Sequence, residues 1–170
     1  MTYFGPHRIA PLLVTLDDEE CETSRRVGKK RNDESSGYDH VAGFEGDGEQ
    51  IHIEGAAGEC AFHKGMGLVW NQSSGTFKLP DARHNIQIRT ATCKAYRPPD
   101  GFGTLIVRPR DDPRDLFALV VGHMPYFAIM GWIEGERARH KDYRRTEADR
   151  PSAWFVPNRF LHKNLDDLLR

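Results

Sequence analysis

The stretch that decides the fold is residues 58–89, which read GECAFHKGMGLVWNQSSGTFKLPDARHNIQIR. Its first part carries small and apolar residues at helical spacing up to Met66, and Gly67 can end a helix. Its last part alternates apolar and polar residues from Ile86 onward, which is typical of a strand. We therefore predict a helix over about 54–66 that leads through turns into a sheet.

The chain before this stretch predicts one polar helix and one irregular segment. Thr15 is a plausible N-cap for a helix over 17–32, in which acidic residues come first and basic residues last, as the helix dipole favours. Residues 33–50 are rich in Asp, Glu, Ser and Gly and contain few apolar residues, so we expect a mobile loop there.

Short apolar runs follow the stretch, and turn signals such as Pro98-Pro99-Asp100-Gly101 separate them. The runs predict strands over 68–70, 76–79, 86–92, 105–108, 116–121 and 126–133, a short helix over 134–138 and a last extended segment at 154–156. The continuous apolar run at Val120 and Val121 indicates a central strand covered on both faces. We predict an α+β fold in a single domain, 1–170, with a mixed, mostly antiparallel central sheet of about five strands flanked by helices.

Charge and cysteine content limit the function classes. The formal net charge of −1 is not that of a strongly basic chain, so any nucleic-acid binding has to be local. No window approaches the ~20 apolar residues of a membrane helix. The three cysteines are odd in number and widely spaced, which fits reduced thiols better than a disulfide framework or a zinc site. We expect a soluble, cytoplasmic protein with no membrane partner.

Two basic clusters could supply local nucleic-acid binding. The first contains Arg25, Arg26, Lys29, Lys30 and Arg31, and the second contains Arg137, Arg139, Lys141, Arg144 and Arg145. From the sequence, a solvated face of a helix or loop explains each cluster as well as a binding surface does.

Four polar residues of the stretch at 58–89 could meet at one point. Hydrolysis of a phosphodiester needs a divalent ion, which carboxylate and carbonyl oxygens hold. Glu59 lies in the predicted helix, and Asp81 enters a strand at a Pro-Asp step. Gln87 and Arg89 point to one face of the next strand by period-two alternation, and the isoleucines beside them point to the core.

This order resembles the active site of the PD-(D/E)XK nuclease superfamily, in which a helix Glu precedes a strand Asp and then (D/E/Q)-x-K on its hairpin partner. The matching residues are Gly58-Glu59, Pro80-Asp81 and Gln87-Ile88-Arg89. Across roughly residues 50–160 the chain is also similar to a set of small bacterial and phage proteins with a shared pattern. Here that pattern is Gly55, Gly58, Glu59, Ala61, Gly67, Pro80, Asp81, Arg89 and Thr90.

The resemblance implies a restriction-endonuclease-like α/β fold and a metal-dependent nuclease that hydrolyses phosphodiesters of DNA, with RNA not excluded. Glu59, Asp81 and Gln87 would bind Mg²⁺ or Mn²⁺, and Arg89 would complete the catalytic set. Arg89 stands where the family has lysine, and a guanidinium holds a phosphate but does not release its proton near neutral pH.

Four alternatives therefore stand beside an active nuclease. The first is a nuclease with weakened activity, and the second is a catalytically inactive nucleic-acid-binding or interaction module that keeps the fold. In the third, the four residues form a buried polar network. The fourth is a purely structural assembly protein that uses exposed strand edges. A nuclease with one site per chain would need a homodimer to cut both strands of a duplex.

Overall fold

The computed structural model describes residues 7–35, 48–72, 85–146 and 151–170. The helices are α1 (Asp18–Ser35), α2 (Gly48–Met66) and α3 (Gly135–Ala138), with 3-10 turns at Lys141–Tyr143, Asn158–Phe160 and Leu165–Leu169. The strands are β1 (Leu12–Thr15), β2 (Ile86–Thr92), β3 (Thr104–Val107), β4 (Leu116–His123), β5 (Tyr126–Glu134), β6 (Arg144–Arg145) and β7 (Ala153–Pro157). None of the helices in these ranges is long and apolar enough to cross a bilayer.

The described strands form two sheets. The first has four strands in the order β1-β5-β4-β2, and the second has three in the order β3-β7-β6. β2 runs parallel to β4, and the other pairs are antiparallel. The predicted α+β class and mixed sheet are confirmed. The prediction of one sheet of about five strands is wrong for the described residues, because β3 and β7 pair with each other instead of joining β4 and β5.

The two central strands of the four-stranded sheet, β4 and β5, are buried on both faces. On one face the sheet packs against α2, in a cluster that includes Phe62, Ile86 and Ile129. On the other face it packs against the second sheet, through residues such as Leu105 and Phe117. Six residues of β4, from Phe117 to Gly122, are buried. The predicted central strand covered on both faces is thereby confirmed.

The N-terminus of α1 is closed by Asp17, so the predicted cap at Thr15 is wrong. The Asp17 N–H donates to Glu20 Oε2 and the Glu20 N–H donates to Asp17 Oδ1, each at 2.8 Å. This reciprocal pair is a capping box. Thr15 is the last residue of β1 and pairs with Tyr126.

The two long helices extend into the segment predicted as a mobile loop. α1 continues to Ser35, and α2 begins at Gly48, before the predicted start at Glu54. The loop prediction is therefore wrong for 33–35 and 48–50, and residues 36–47 lie outside the described ranges. α1 and α2 touch closely: a Cβ on Gly28 would lie 2.3 Å from the Ile53 Cα. Tertiary packing of this kind can hold a polar sequence in a helix against its local preference.

α2 ends at Met66, and Gly67 caps its C-terminus, as predicted. Gly67 has φ +67, its N–H donates to the Lys64 carbonyl at 3.2 Å, and the Leu68 N–H donates to the His63 carbonyl at 2.8 Å. These bonds form a Schellman motif. The predicted strand at 68–70 is wrong, because the Leu68 N–H is part of this cap and none of the described residues 68–72 is in a strand. The strand predicted at 76–79 lies outside the described residues.

Candidate functional site

Glu59 lies in α2 and is 8% exposed. The two terminal nitrogens of Arg31 in α1 donate to its two carboxylate oxygens at 2.7 Å each. Trp70 Nε1 donates to Oε2 at 3.4 Å. The side chains of this ion pair are only 15% and 11% exposed. The Glu59 carboxylate therefore joins α1 to α2, and N–H donors satisfy both of its oxygens.

Gln87 and Arg89 point away from α2. Ile86 and Ile88 belong to the core cluster that α2 covers, so the predicted alternation along β2 is confirmed. On the other face, Gln87 Nε2 donates to Asp115 Oδ2 at 3.0 Å.

Arg89 is held on that same face by three contacts. Its Nη2 lies 2.9 Å from Asp111 Oδ2, and its Nε donates to the Ile106 carbonyl at 3.3 Å. The guanidinium also lies over the Phe117 ring, 5.3 Å from the centroid. Arg89 is thus fixed between β2 and the second sheet.

The four-stranded sheet separates Glu59 from Gln87 and Arg89. α2 lies so close to β2 that a Cβ on Gly58 would be 2.0 Å from Thr90 Oγ1. Thr90 shares the face of Ile86 and Ile88, so α2 covers the isoleucine face and period-two alternation turns Gln87 and Arg89 to the opposite one. The predicted meeting of these three residues at one point is corrected accordingly. Asp81 lies outside the described residues.

The donor set implied for Mg²⁺ or Mn²⁺ does not fit the described part of the chain. Within it, no group of three or more His, Cys, Asp or Glu side chains is placed to hold a metal ion. Glu59 faces a guanidinium on both oxygens, and Gln87 uses its amide nitrogen on Asp115. Hard cations need several converging oxygens, and these two residues lie on opposite faces of the sheet.

The first basic cluster, on α1, is engaged within the protein. Each of its residues contacts an acidic or amide side chain: Arg25 contacts Glu22 at 3.3 Å, Arg26 contacts Gln72 at 3.2 Å, Lys29 contacts Glu49 at 3.8 Å, Lys30 contacts Glu34 at 4.0 Å, and Arg31 contacts Glu59 at 2.7 Å. Four of these five partners are carboxylates, which neutralise the cluster locally. The alternative of a charged helix face is therefore favoured over a binding surface for this cluster.

The second basic cluster surrounds aromatic rings of β7. The Arg139 guanidinium lies 4.7 Å and that of Arg144 5.9 Å from the Trp154 ring centroid. The Arg145 guanidinium lies 5.7 Å from the Phe155 ring centroid. Among the residues that the structure describes, no carboxylate pairs with Arg144 or Arg145. Arg137 of this cluster pairs with Glu134 at 3.7 Å, whereas Arg144 and Arg145 keep their positive charge at the surface.

A third basic group, absent from the sequence-based prediction, lies beside Arg89. Desolvation is the largest cause that lowers the pKa of the Arg108 guanidinium, and repulsion from Arg89 and Arg110 lowers it further. The negative charge of Asp111 raises this pKa and so opposes the shift. Asp111 pairs with Arg89 and accepts the Arg108 N–H at 2.7 Å. We call Arg89, Arg108 and Arg110 the arginine cluster. Two of its members come from the loop after β3, and only the pairing of the elements brings them to Arg89.

Comparison of the chain with protein-family models, with curated proteins and with solved structures found no significant match.

Proposed function

We propose that the protein is a nucleic-acid-binding module that grips phosphates with the arginine cluster and does not depend on hydrolysis for its role. The observation that carries the proposal is the arrangement of arginines at Asp111: Arg89 Nη2 lies 2.9 Å from Asp111 Oδ2, and the Arg108 backbone N–H donates to the same oxygen at 2.7 Å. The Arg108 guanidinium also lies close enough to Arg89 and Arg110 to be repelled by both. A phosphate supplies the negative charge that this cluster lacks, and it accepts paired N–H bonds from a guanidinium. Arg89 acts as a phosphate ligand in this proposal.

The distribution of charge over the molecule supports this choice. The net charge is −1, and carboxylates pair with most of the basic residues on α1. Near the second sheet, by contrast, Arg144 and Arg145 lie over aromatic rings and pair with no carboxylate among the described residues. Such a local positive surface binds polyanions without a basic overall composition.

Metal-dependent cleavage is the second proposal, and one observation favours it. The carboxylates of Asp111 and Asp115 lie against Arg89 and Gln87, and the Asp111 side chain is only 12% exposed. They place acidic oxygens on the face of β2 that Glu59 does not reach. Cleavage that needs Mg²⁺ or Mn²⁺ and is lost in both Asp81→Asn and Asp115→Asn would support this proposal.

The binding proposal is tested with fluorescence anisotropy on labelled DNA and RNA, single-stranded and duplex. Arg108→Ser combined with Arg110→Ser should weaken binding about tenfold or more at about 50 mM salt. It should also reduce the slope of log affinity against log salt by about 1.4 on single strands and about 1.8 on duplexes, since two phosphate contacts are lost. Both residues lie at the protein surface, although neighbouring groups partly desolvate the Arg108 guanidinium, so the fold should be retained.

The matched control is Arg25→Ser combined with Arg26→Ser, which removes the same charge from α1. This control should bind like the wild type, because its arginines pair within the helical layer. Equal weakening of both double variants would show that only net charge matters and would contradict a site at the arginine cluster. Absence of any binding at low salt would overturn the proposed function altogether.

A further inference from the structure

The second sheet turns one face to the core and the other to solvent. In β3, Leu105 and Val107 are fully buried, and Ile106 between them is 36% exposed. Ile106 lies directly opposite Phe155 of β7, and Phe155 is half-buried. Residues directly opposite in an antiparallel pair share a face. Ile106 and Phe155 thus form an apolar centre on the outer face of this sheet.

Arginines flank this centre at both edges of the sheet. At the β3 edge, Arg89 Nε donates to the Ile106 carbonyl, and Arg108 continues the alternation that turns Ile106 outward. At the β6 edge, the Arg145 guanidinium lies 5.7 Å from the centroid of the Phe155 ring. The outer face therefore has an apolar middle and positive margins.

We infer that the outer face of the second sheet binds single-stranded nucleic acid. A base displaces the Arg145 guanidinium that lies over the Phe155 ring and stacks on Phe155 and Ile106, while Arg145 and the arginine cluster hold phosphates. The inference rests on the proposed function and names its substrate class. A base in a duplex has its faces covered by its neighbours, so an aromatic ring on an open sheet can stack only on unpaired bases.

The dimensions and the charge of this face agree with that occupant. Neighbouring strands lie about 4.8 Å apart, so the two outer strands are separated by about 10 Å, which is the span of about three bases stacked at roughly 3.4 Å. Two apolar side chains between arginines leave little area for an apolar protein partner. A polyanion with flat apolar faces complements both the margins and the middle.

The test compares variants of Phe155 in binding to single-stranded and duplex oligonucleotides of about 20 nucleotides, in DNA and in RNA. Phe155→Leu keeps apolar volume and removes the ring, so it should weaken single-strand binding roughly 5- to 150-fold and leave duplex binding unchanged. Phe155→Tyr keeps the ring and should bind like the wild type. Circular dichroism melting of each variant establishes that it is folded.

The matched control is Tyr96→Leu, which removes another exposed aromatic ring. Tyr96 is 73% exposed and packs against Tyr126 of the four-stranded sheet, at 4.5 Å between ring centroids. This variant should keep single-strand affinity, and a loss equal to that of Phe155→Leu would overturn the stacking site.

The failure of this inference can be told apart from the failure of the proposed function. Equal affinity for single strands and duplexes, unchanged in Phe155→Leu and reduced in Arg108→Ser with Arg110→Ser, would overturn single-strand recognition and keep the arginine cluster as a phosphate site. Binding of polyglutamate as tightly as of single strands, with the same loss in Phe155→Leu, would point to an acidic peptide and overturn the inference. No binding to any oligonucleotide would overturn both proposals.

Discussion

His63 illustrates how α2 controls the protonation of a single side chain. The residue is 3% exposed, its Nδ1 lies 2.7 Å from the Glu59 carbonyl, and its ring meets the edge of the Phe62 ring. Burial is the main cause that lowers the pKa of this imidazole, against the hydrogen bond to Glu59, which raises it. The folded protein therefore holds His63 neutral, with Nδ1–H as the donor.

This protonation state predicts a loss of stability in mild acid. Because the folded pKa is below the ordinary value of about 6.5, the unfolded chain takes up a proton first as the pH falls. The contribution of His63 is complete above about pH 6.5 and declines below it, by up to about 1.4 kcal/mol per pH unit.

Urea unfolding at about pH 7.5 and about pH 5.5 measures this effect. His63→Gln has no titrating ring, so the free energy of unfolding of the wild type should fall more between the two pH values than that of the variant. Identical falls in the two proteins would assign the pH dependence to other groups.

At the scale of elements, the contact between α1 and α2 depends on a residue that sequence reasoning treats as a weak point. Glycine lowers helix stability by about 1 kcal/mol relative to alanine in an open helix. At Gly28, however, a Cβ would lie 2.3 Å from the Ile53 Cα and 2.6 Å from its backbone nitrogen. Backbone atoms cannot yield locally, so the helices would have to separate.

We therefore predict opposite results for two glycine-to-alanine substitutions in these helices. Gly28→Ala should lower the free energy of unfolding by about 1–3 kcal/mol, despite the better helix propensity of alanine. Gly55→Ala should raise it by about 0.5–1 kcal/mol, because nothing lies within 4 Å of a Cβ there. Chemical denaturation of the two variants measures both changes, and a stabilised Gly28→Ala would contradict the close contact.

The elements differ in how far their sequences predict them. The strict alternation along β2 correctly predicts that Ile86 and Ile88 are buried. β1 was not predicted, because its four residues LLVT carry no complete period and depend on pairing with β5. A strand's alternation also does not say which face a helix will cover. The covered face is set by the close packing of Gly58 in α2 against Thr90 in β2. This packing separates Glu59 from Gln87 and Arg89.

At the scale of the whole molecule, the layers separate a structural ion pair from the proposed binding surface, although Glu59 of the first and Arg89 of the second both lie in the stretch 58–89. The helical layer holds the Arg31–Glu59 ion pair, enclosed between α1 and α2. The opposite side holds the arginine cluster and the outer face of the second sheet. The four-stranded sheet lies between these layers, so a change in one layer should leave the chemistry of the other intact.

Glu59→Gln tests this separation. Removing the charge leaves the Arg31 guanidinium enclosed without its carboxylate partner, which should lower the free energy of unfolding by about 3 kcal/mol. Glu49→Gln is the matched control on the same helix, and its more exposed ion pair with Lys29 should matter by less than about 1 kcal/mol. Below the unfolding transition, Glu59→Gln should bind oligonucleotides with unchanged affinity. If Glu59→Gln keeps its stability and instead loses binding or metal-dependent cleavage, Glu59 belongs to the functional site. The four-stranded sheet would then not separate the ion pair from the binding surface.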